Sequence, residues 1–186
     1  MKLDDDEVVR GIKAVRGDAV DKAVRLSRLH AEEKAPGISP THVERSWAIE
    51  VPGYPFDLVG QLDVQEGRER VRDTKTSGKS PNEDAAEKSI QLTAYAMAVQ
   101  VIDGQAPEKV ALDYLVDTKT PKAVTLESTR GPEDYTAFIA RVDSVARAMQ
   151  TGTFVPVEPT HWCCAPKWCG YHATCRFVRH PKQFAL

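Results

Sequence analysis

No stretch of this chain approaches the roughly 18 consecutive apolar residues that a membrane-spanning helix needs. The opening residues MKLDDDEVVR are acidic and carry no apolar run, so no signal peptide is read there. The expected location is therefore the cytoplasm. No cysteine precedes Cys163, which excludes a disulfide framework across the chain. No acidic residue follows Glu158, so the carboxy-terminal part is basic although the formal net charge is −2. Low-complexity linkers are missing, and the only internal repeat is the tetrapeptide DTKT.

What remains is the composition of a soluble globular protein: 186 residues, 41% hydrophobic and 28% charged, long enough to bury a core as one domain. The acid-free tail carries Lys167, Arg176, Arg179 and Lys182, with His161, His172 and His180 among them. A local surface of this kind follows a phosphate backbone despite an acidic total, or is simply a solvated tail. All four cysteines, Cys163, Cys164, Cys169 and Cys175, fall within HWCCAPKWCGYHATC. In a cytosolic chain, such close spacing favours metal binding over disulfides.

The pattern predicts a helix over the first 34 residues, with Val8, Ile12, Val15, Val20 and Val24 at near-helical spacing. Strands follow at HVERSWAIEVPG and YPFDLVGQLDVQ, then a turn at EGRE and a strand RVRDTKTS. Ser80, Pro81 and Glu83 read as a capping box that opens a helix running to about Asp103, with Ile90, Ala94, Met97 and Val101 on its buried stripe. The strand pair EKVALDYLVDT and KAVTLEST, a helix from about Glu133 to Met149 and a loop-rich tail complete the chain.

The two DTKT copies differ in their setting. If Gly67-Arg68-Glu69 is a three-residue hairpin loop, Asp63 lies directly opposite Asp73; a two-residue loop makes them diagonal neighbours. Opposed carboxylates repel at this distance and ask for a cation, and oxygen ligands of this kind suit Mg²⁺ or Mn²⁺. Strand alternation places Lys75 on the face of Asp73, where an ammonium stabilises charge on a phosphoryl oxygen. The second copy is followed by Pro121 and has no facing acid at hairpin distance, so Asp117 and Lys119 are expected at a solvated strand end. On the helix after the first copy, Gln91 and Tyr95 are i,i+4 neighbours, placed either to meet substrate or simply to pack.

The order GQLD, DTK, QLTAY and then a cysteine cluster resembles the PD-(D/E)XK nuclease superfamily, in particular its RecB-like and CRISPR-associated exonucleases with an iron–sulfur cluster. CAPKWCGYHATC is similar to phage-encoded members. The resemblance, from about His42 to Phe177, implies an α/β fold with a mixed central sheet flanked by helices, a restriction-endonuclease-like core and a loop-rich cysteine tail. It implies one domain: a helical part at 1–40, a catalytic core at 41–150 and the tail at 151–186. Asp63, Asp73 and the Thr74 main-chain carbonyl become metal ligands, Lys75 the catalytic lysine, and Gln91 and Tyr95 substrate-binding residues. The implied reaction is Mg²⁺- or Mn²⁺-dependent hydrolysis of DNA at single-stranded ends, in recombination or repair with a helicase or recombination protein, and with no membrane partner.

The resemblance also implies a [4Fe–4S] cluster on Cys164, Cys169 and Cys175 plus one upstream cysteine, which this sequence lacks. A zinc site from the same three cysteines with His161 or His172 is the chemical rival. Members carry a histidine or glutamate on the first helix, often as Gly-x-x-x-His. Here Gly17 and Asp21 have that spacing, and His30, Glu32 and Glu33 are further candidates. Both departures lie upstream, which leads to the expectation of a truncated or minimal member. Two rival functions follow. One is a non-catalytic DNA-end binding module dependent on Arg176 and Arg179; the other is a metal- or redox-responsive protein working through its cysteines.

Overall fold

The computed structural model describes residues 5–153, 155–175 and 177, with side chains from Arg16 onward. Arg176, Arg179, His180 and Lys182 lie outside the described residues, as do the side chains of Val8, Ile12 and Val15. The chain forms two compact units, Met1–Ala140 and Arg141–Leu186.

The first unit is built on a five-stranded sheet whose spatial order follows the sequence. Its strands are β1 (His42–Glu50), β2 (Asp57–Glu66), β3 (Arg70–Ser77), β4 (Lys109–Val116) and β5 (Lys122–Ser128). β3 and β4 are parallel and every other neighbouring pair is antiparallel. A parallel pair needs a long crossover, and α2 (Ile90–Asp103) supplies it. α2 packs on β1, β3 and β4, whereas α1 (Asp5–Glu33) packs on β4 and β5. Strand alternation then divides β3: Val71, Asp73 and Lys75 face α2, while Arg72, Thr74 and Thr76 face α1. The third helix, α3 (Pro132–Thr151), begins in the first unit and ends in the second.

The mixed sheet with its helices is the fold expected from the strand and helix order. Three local expectations need correction. β2 begins at Asp57, not at Tyr54, because the Tyr54 N–H closes a turn onto the Val51 carbonyl at 3.1 Å. The capping box at Ser80 does not form. Residues 83–88 are turns and Ser89 is the cap, its hydroxyl accepting from the Leu92 N–H. The cause lies more than forty residues away in sequence. The Arg130 guanidinium donates to the carbonyls of Ala86 (2.7 Å), Glu87 (3.2 Å) and Ser89 (3.1 Å), and to the Thr93 hydroxyl (2.7 Å). The Ala86 and Glu87 carbonyls are taken up by Arg130 instead of an N–H four residues on, whereas the Ser89 carbonyl also accepts the Thr93 N–H at 3.3 Å and so opens the helix.

The buried stripe of α2 also differs. Of the expected stripe Met97 is buried and Ala94 half-buried against the core, but Ile90 and Val101 are exposed, and Leu92, Tyr95, Ala96 and Val99 face the core instead. On α1 the residues that seat the helix are Leu26 and Leu29, packed with Leu115 and Ala123; Val20 and Val24 stay in water.

The main core gathers Trp47, Leu62, Val71, Leu92, Tyr95, Val99, Val110 and Leu112 on the α2 side. Trp47 and Gly60 are register partners across β1 and β2, and the indole lies over the glycine. A Cβ built on Gly60 falls 2.3 Å from Trp47 Cζ2, far inside contact distance. Gly60→Ala therefore has to push the ring out of the core. We expect a loss of about 1–3 kcal/mol, measured as a lowered denaturation midpoint with unchanged slope. A variant melting like the wild type would show that the indole has room to move.

Candidate active site

β2 and β3 meet through the loop Gly67-Arg68-Glu69, and their rungs are Glu66↔Arg70, Gln65↔Val71 and Val64↔Arg72. The next rung would put Asp63 against Asp73. The ladder stops before it. Instead the Asp63 carboxylate turns to accept the Thr74 backbone N–H at 2.8 Å. Two facing carboxylates without a cation repel, and the parting of β2 from β3 at this step relieves that repulsion. On β1 the same place is distorted. Val43↔Val64 and Arg45↔Leu62 pair normally, but Glu44 between them has φ of 51°. A non-glycine residue in this region is strained, and such strain concentrates at functional sites.

Asp73 is buried and Asp63 half-buried. Burial pushes the Asp73 pKa up, the Lys75 ammonium partly offsets this, and the neighbouring Asp63 charge pushes it up further. Lys75 Nζ sits 2.7 Å from Asp73 Oδ2, yet that oxygen makes no hydrogen bond of normal geometry. The ammonium donates to Gln91 Oε1 at 2.8 Å, and Gln91 Nε2 donates to the Tyr95 hydroxyl at 2.6 Å. Tyr95 is a core residue whose hydroxyl pKa is raised, by burial first and also by the Asp73 and Asp63 charges. A row of four side chains thus runs from a buried carboxylate to a buried phenol. The structure brings Asp63, Asp73, Thr74, Lys75, Gln91 and Tyr95 together.

The donor set fits a hard divalent cation in part. Asp73 offers a buried oxygen without a hydrogen bond, and Asp63 offers a second carboxylate. In an extended strand the N–H and C=O of one residue point to the same edge. The Thr74 carbonyl therefore faces the edge where its N–H meets Asp63. Oxygen ligands of this type suit Mg²⁺ or Mn²⁺. Among the described residues, however, no group of three or more His, Cys, Asp or Glu side chains comes together as a metal centre.

The same holds for the tail. Cys164, Cys169 and Cys175 are half-buried free thiols that do not converge on one point, with or without His161 or His172. His161 Nδ1 lies 3.0 Å from Cys163 Sγ. Burial and the neighbouring thiols push the Cys164 pKa up. These residues as placed do not fit a [4Fe–4S] or zinc ligand set, and no chemistry is derived through one.

A cavity of about 600 Å³ lies on the α1 side of the sheet, with Asp63, Thr74 and Glu44 in its lining. α1 contributes Ala19, Lys22, Ala23, Leu26, Ser27 and His30, a single helical stripe. Of the α1 candidates, His30 thus shares a cavity with Asp63. Asp21 is exposed outside it, and Glu32 and Glu33 are exposed. Glu44 carries no motif, and only its backbone strain marks it.

The second DTKT is not merely a solvated strand end. Lys119 is exposed, but Asp117 binds the Arg25 guanidinium at 2.6 Å and Lys22 at 3.5 Å, tying α1 to the end of β4. Arg25 holds its carboxyl below the usual range, helped by Lys22. Its backbone N–H donates to the Ser77 carbonyl at 2.7 Å.

Beneath the site lies a cluster that the sequence did not reveal. Arg72 donates to Glu66 Oε2 at 2.5 Å and to Asp113 Oδ2 at 2.9 Å, with all three side chains buried. It joins β2, β3 and β4 on the face opposite Asp73.

A family model for the PD-(D/E)XK nuclease superfamily matches residues 3–176. The chain belongs to this superfamily. Among solved structures, a protein of Eubacterium rectale named as a candidate exonuclease shares 12% identity with it at a TM-score of 0.50. The alignment covers 75% of this chain and 56% of that one, so the chain spans little more than half of that protein's length. The protein SSO0001 shares 20% identity at a TM-score of 0.41, covering 92% of this chain and 74% of its own. No curated protein matches. Members of the superfamily are nucleases that typically use Mg²⁺ or Mn²⁺. No helix among the described residues is long and apolar enough to cross a membrane.

Proposed function

We propose that this chain is a metal-dependent deoxyribonuclease that removes nucleotides from single-stranded DNA ends, in recombination or repair within a bacterial or phage-infected cell. The observation that carries the reading is the run Asp73–Lys75–Gln91–Tyr95 beside Asp63, at the point where β2 leaves β3. Asp63, Asp73 and the Thr74 carbonyl would hold Mg²⁺ or Mn²⁺. When bound, the cation neutralises phosphoryl charge and lowers the pKa of an attacking water.

The remaining work falls to the chain itself. Lys75, held by Gln91, presents its ammonium to a non-bridging phosphoryl oxygen or to the attacking water. Tyr95 accepts from Gln91 through its oxygen, so its own proton is available to a phosphate or sugar oxygen. His30 serves as the α1 histidine of the superfamily, since it lines the cavity that Asp63 lines.

The test is degradation of end-labelled single-stranded DNA with Mn²⁺, Mg²⁺ or EDTA. Metal-dependent loss of label is expected, with His30→Ala slower by about 10-fold or more, as for residues that orient metal ligands. A folded, metal-saturated protein that leaves the label intact would overturn the reading in favour of a DNA-end binding module. Equal rates for His30→Ala and wild type would remove only the histidine from the scheme.

A further inference from the structure

Trp162, Trp168 and Tyr171 fall within one short segment of the second unit and are 66%, 61% and 80% exposed. Tryptophan is on average a heavily buried residue, so three large open rings in so short a segment call for an occupant. Their surroundings restrict what it is. Trp162 and Trp168 meet edge to face, with centroids 6.0 Å apart and planes at 86°. Such a pair cannot cover the flat faces of both rings; the His161 ring lies tilted against Trp162 at 5.7 Å, and both indoles remain largely exposed. Lys167 Nζ stands 4.9 Å from the Trp168 ring centre.

The rings are presented by folded backbone. Trp162–Cys164 is a 3-10 turn, and the Ala165 carbonyl accepts from both Trp168 (2.9 Å) and Cys169 (3.0 Å). The segment from Pro159 onward holds no carboxylate, and its charged side chains are all cationic. An apolar protein surface would gain nothing from Lys167 or from this one-sided charge. An unpaired base offers a π-face to each ring, and its phosphate offers an anion to the lysine.

We propose that Trp162, Trp168 and Tyr171 form a stacking platform for unpaired nucleic-acid bases, with Lys167 beside the phosphate of a stacked nucleotide. The choice of occupant rests on the nuclease reading, but the platform is tested by binding and not by cleavage. The full chain is used in an Asp73→Ala background so that the probe survives, and probe integrity is checked on a gel. A labelled oligo(dT) strand and a blunt duplex of equal length are titrated by anisotropy, with tryptophan quenching recorded alongside.

Trp162→Ala with Trp168→Ala is expected to weaken oligo(dT) binding by about 10–100-fold, following the stacking free energy per base. Blunt-duplex affinity should stay unchanged. Phe at both positions should restore most of the affinity and Leu should not, because leucine keeps the apolar area without the π-face. Lys167→Ala should reduce the salt dependence of oligo(dT) binding.

Three outcomes would overturn the platform. One is an Ala variant with wild-type circular dichroism that binds oligo(dT) as tightly as its parent. Another is Leu acting as well as Phe, which marks a plain apolar contact with protein or with the chain itself. The third is equal weakening for duplex and single strand. Cleavage by the chain with no stacking would leave the active site standing, and stacking with no cleavage would leave the platform standing.

Discussion

Lys75→Ala should lower metal-dependent degradation of single-stranded DNA by about 10²–10³-fold, the usual cost of removing one positioned donor to developing charge. Asp73→Ala should remove it to the limit of detection, and Asp63→Ala likewise. The two kinds of variant separate on a second measurement. Calorimetric binding of Mn²⁺ should survive Lys75→Ala, because the lysine touches the carboxylate and not a ligand position of its own. It should fail in Asp73→Asn. If all three variants cut as well as wild type, the site lies elsewhere.

Stability should move the other way. Burial raises the Asp73 pKa above its ordinary value, so the protonated acid is the form the fold prefers. The contribution of Asp73 to stability is largest below the unfolded pKa near 3.8 and is lost as pH rises through the folded value. At neutral pH the buried carboxylate is therefore a net burden, only partly relieved by Lys75. Asp73→Asn should melt no lower than wild type at pH 7 while being inactive. That combination separates a functional acid from a structural one, since a residue kept for stability would lower the melting temperature when neutralised.

The grouping of the candidate-site residues was legible because its signals are local and chemical. A three-residue turn counts out one register, and that register brings Asp63 to the level of Asp73. The last step, in which Asp63 swings to the Thr74 N–H, is a response to two like charges and lies below the resolution of counting. Gln91 and Tyr95 are one helical turn apart wherever the helix begins, so the error at Ser80 did not displace them. The start of α2 was illegible because Arg130 decides it from across the chain, and nothing in PNEDAAEKS announces a distant guanidinium. Asp117 misled for a related reason: its partners Lys22 and Arg25 sit on α1, where they read as a helix surface.

In the turn and strand EGRERVRDTK, Glu66, Arg72 and Asp73 are buried. Arg72 should be the costliest of these to truncate. Its guanidinium is the shared partner of Glu66 and Asp113, and their charges outweigh burial to hold its pKa above the usual value. Removing it strands two carboxylates in the sheet, which costs about 3–5 kcal/mol for a buried pair. Each acid keeps some help: Ser39 N–H and Arg70 for Glu66, and the Thr125 hydroxyl with Lys34 for Asp113. Arg72→Met should therefore fall at the lower end, about 3 kcal/mol, or roughly 6–12 °C in Tm for a chain of this size. Replacing all three by apolar residues of similar volume should restore most of that loss. The functional consequence follows from position. Arg72 clamps β3 to β2 and to β4 one residue before Asp73, just where β2 must leave so that Asp63 meets Thr74. An apolar triple variant that regains wild-type stability should still cut DNA more slowly, because packing without direction no longer fixes the level of Asp73 on β3 against Asp63 on β2. Full activity in that variant would show that the strand parting is held by Asp63 and Thr74 alone.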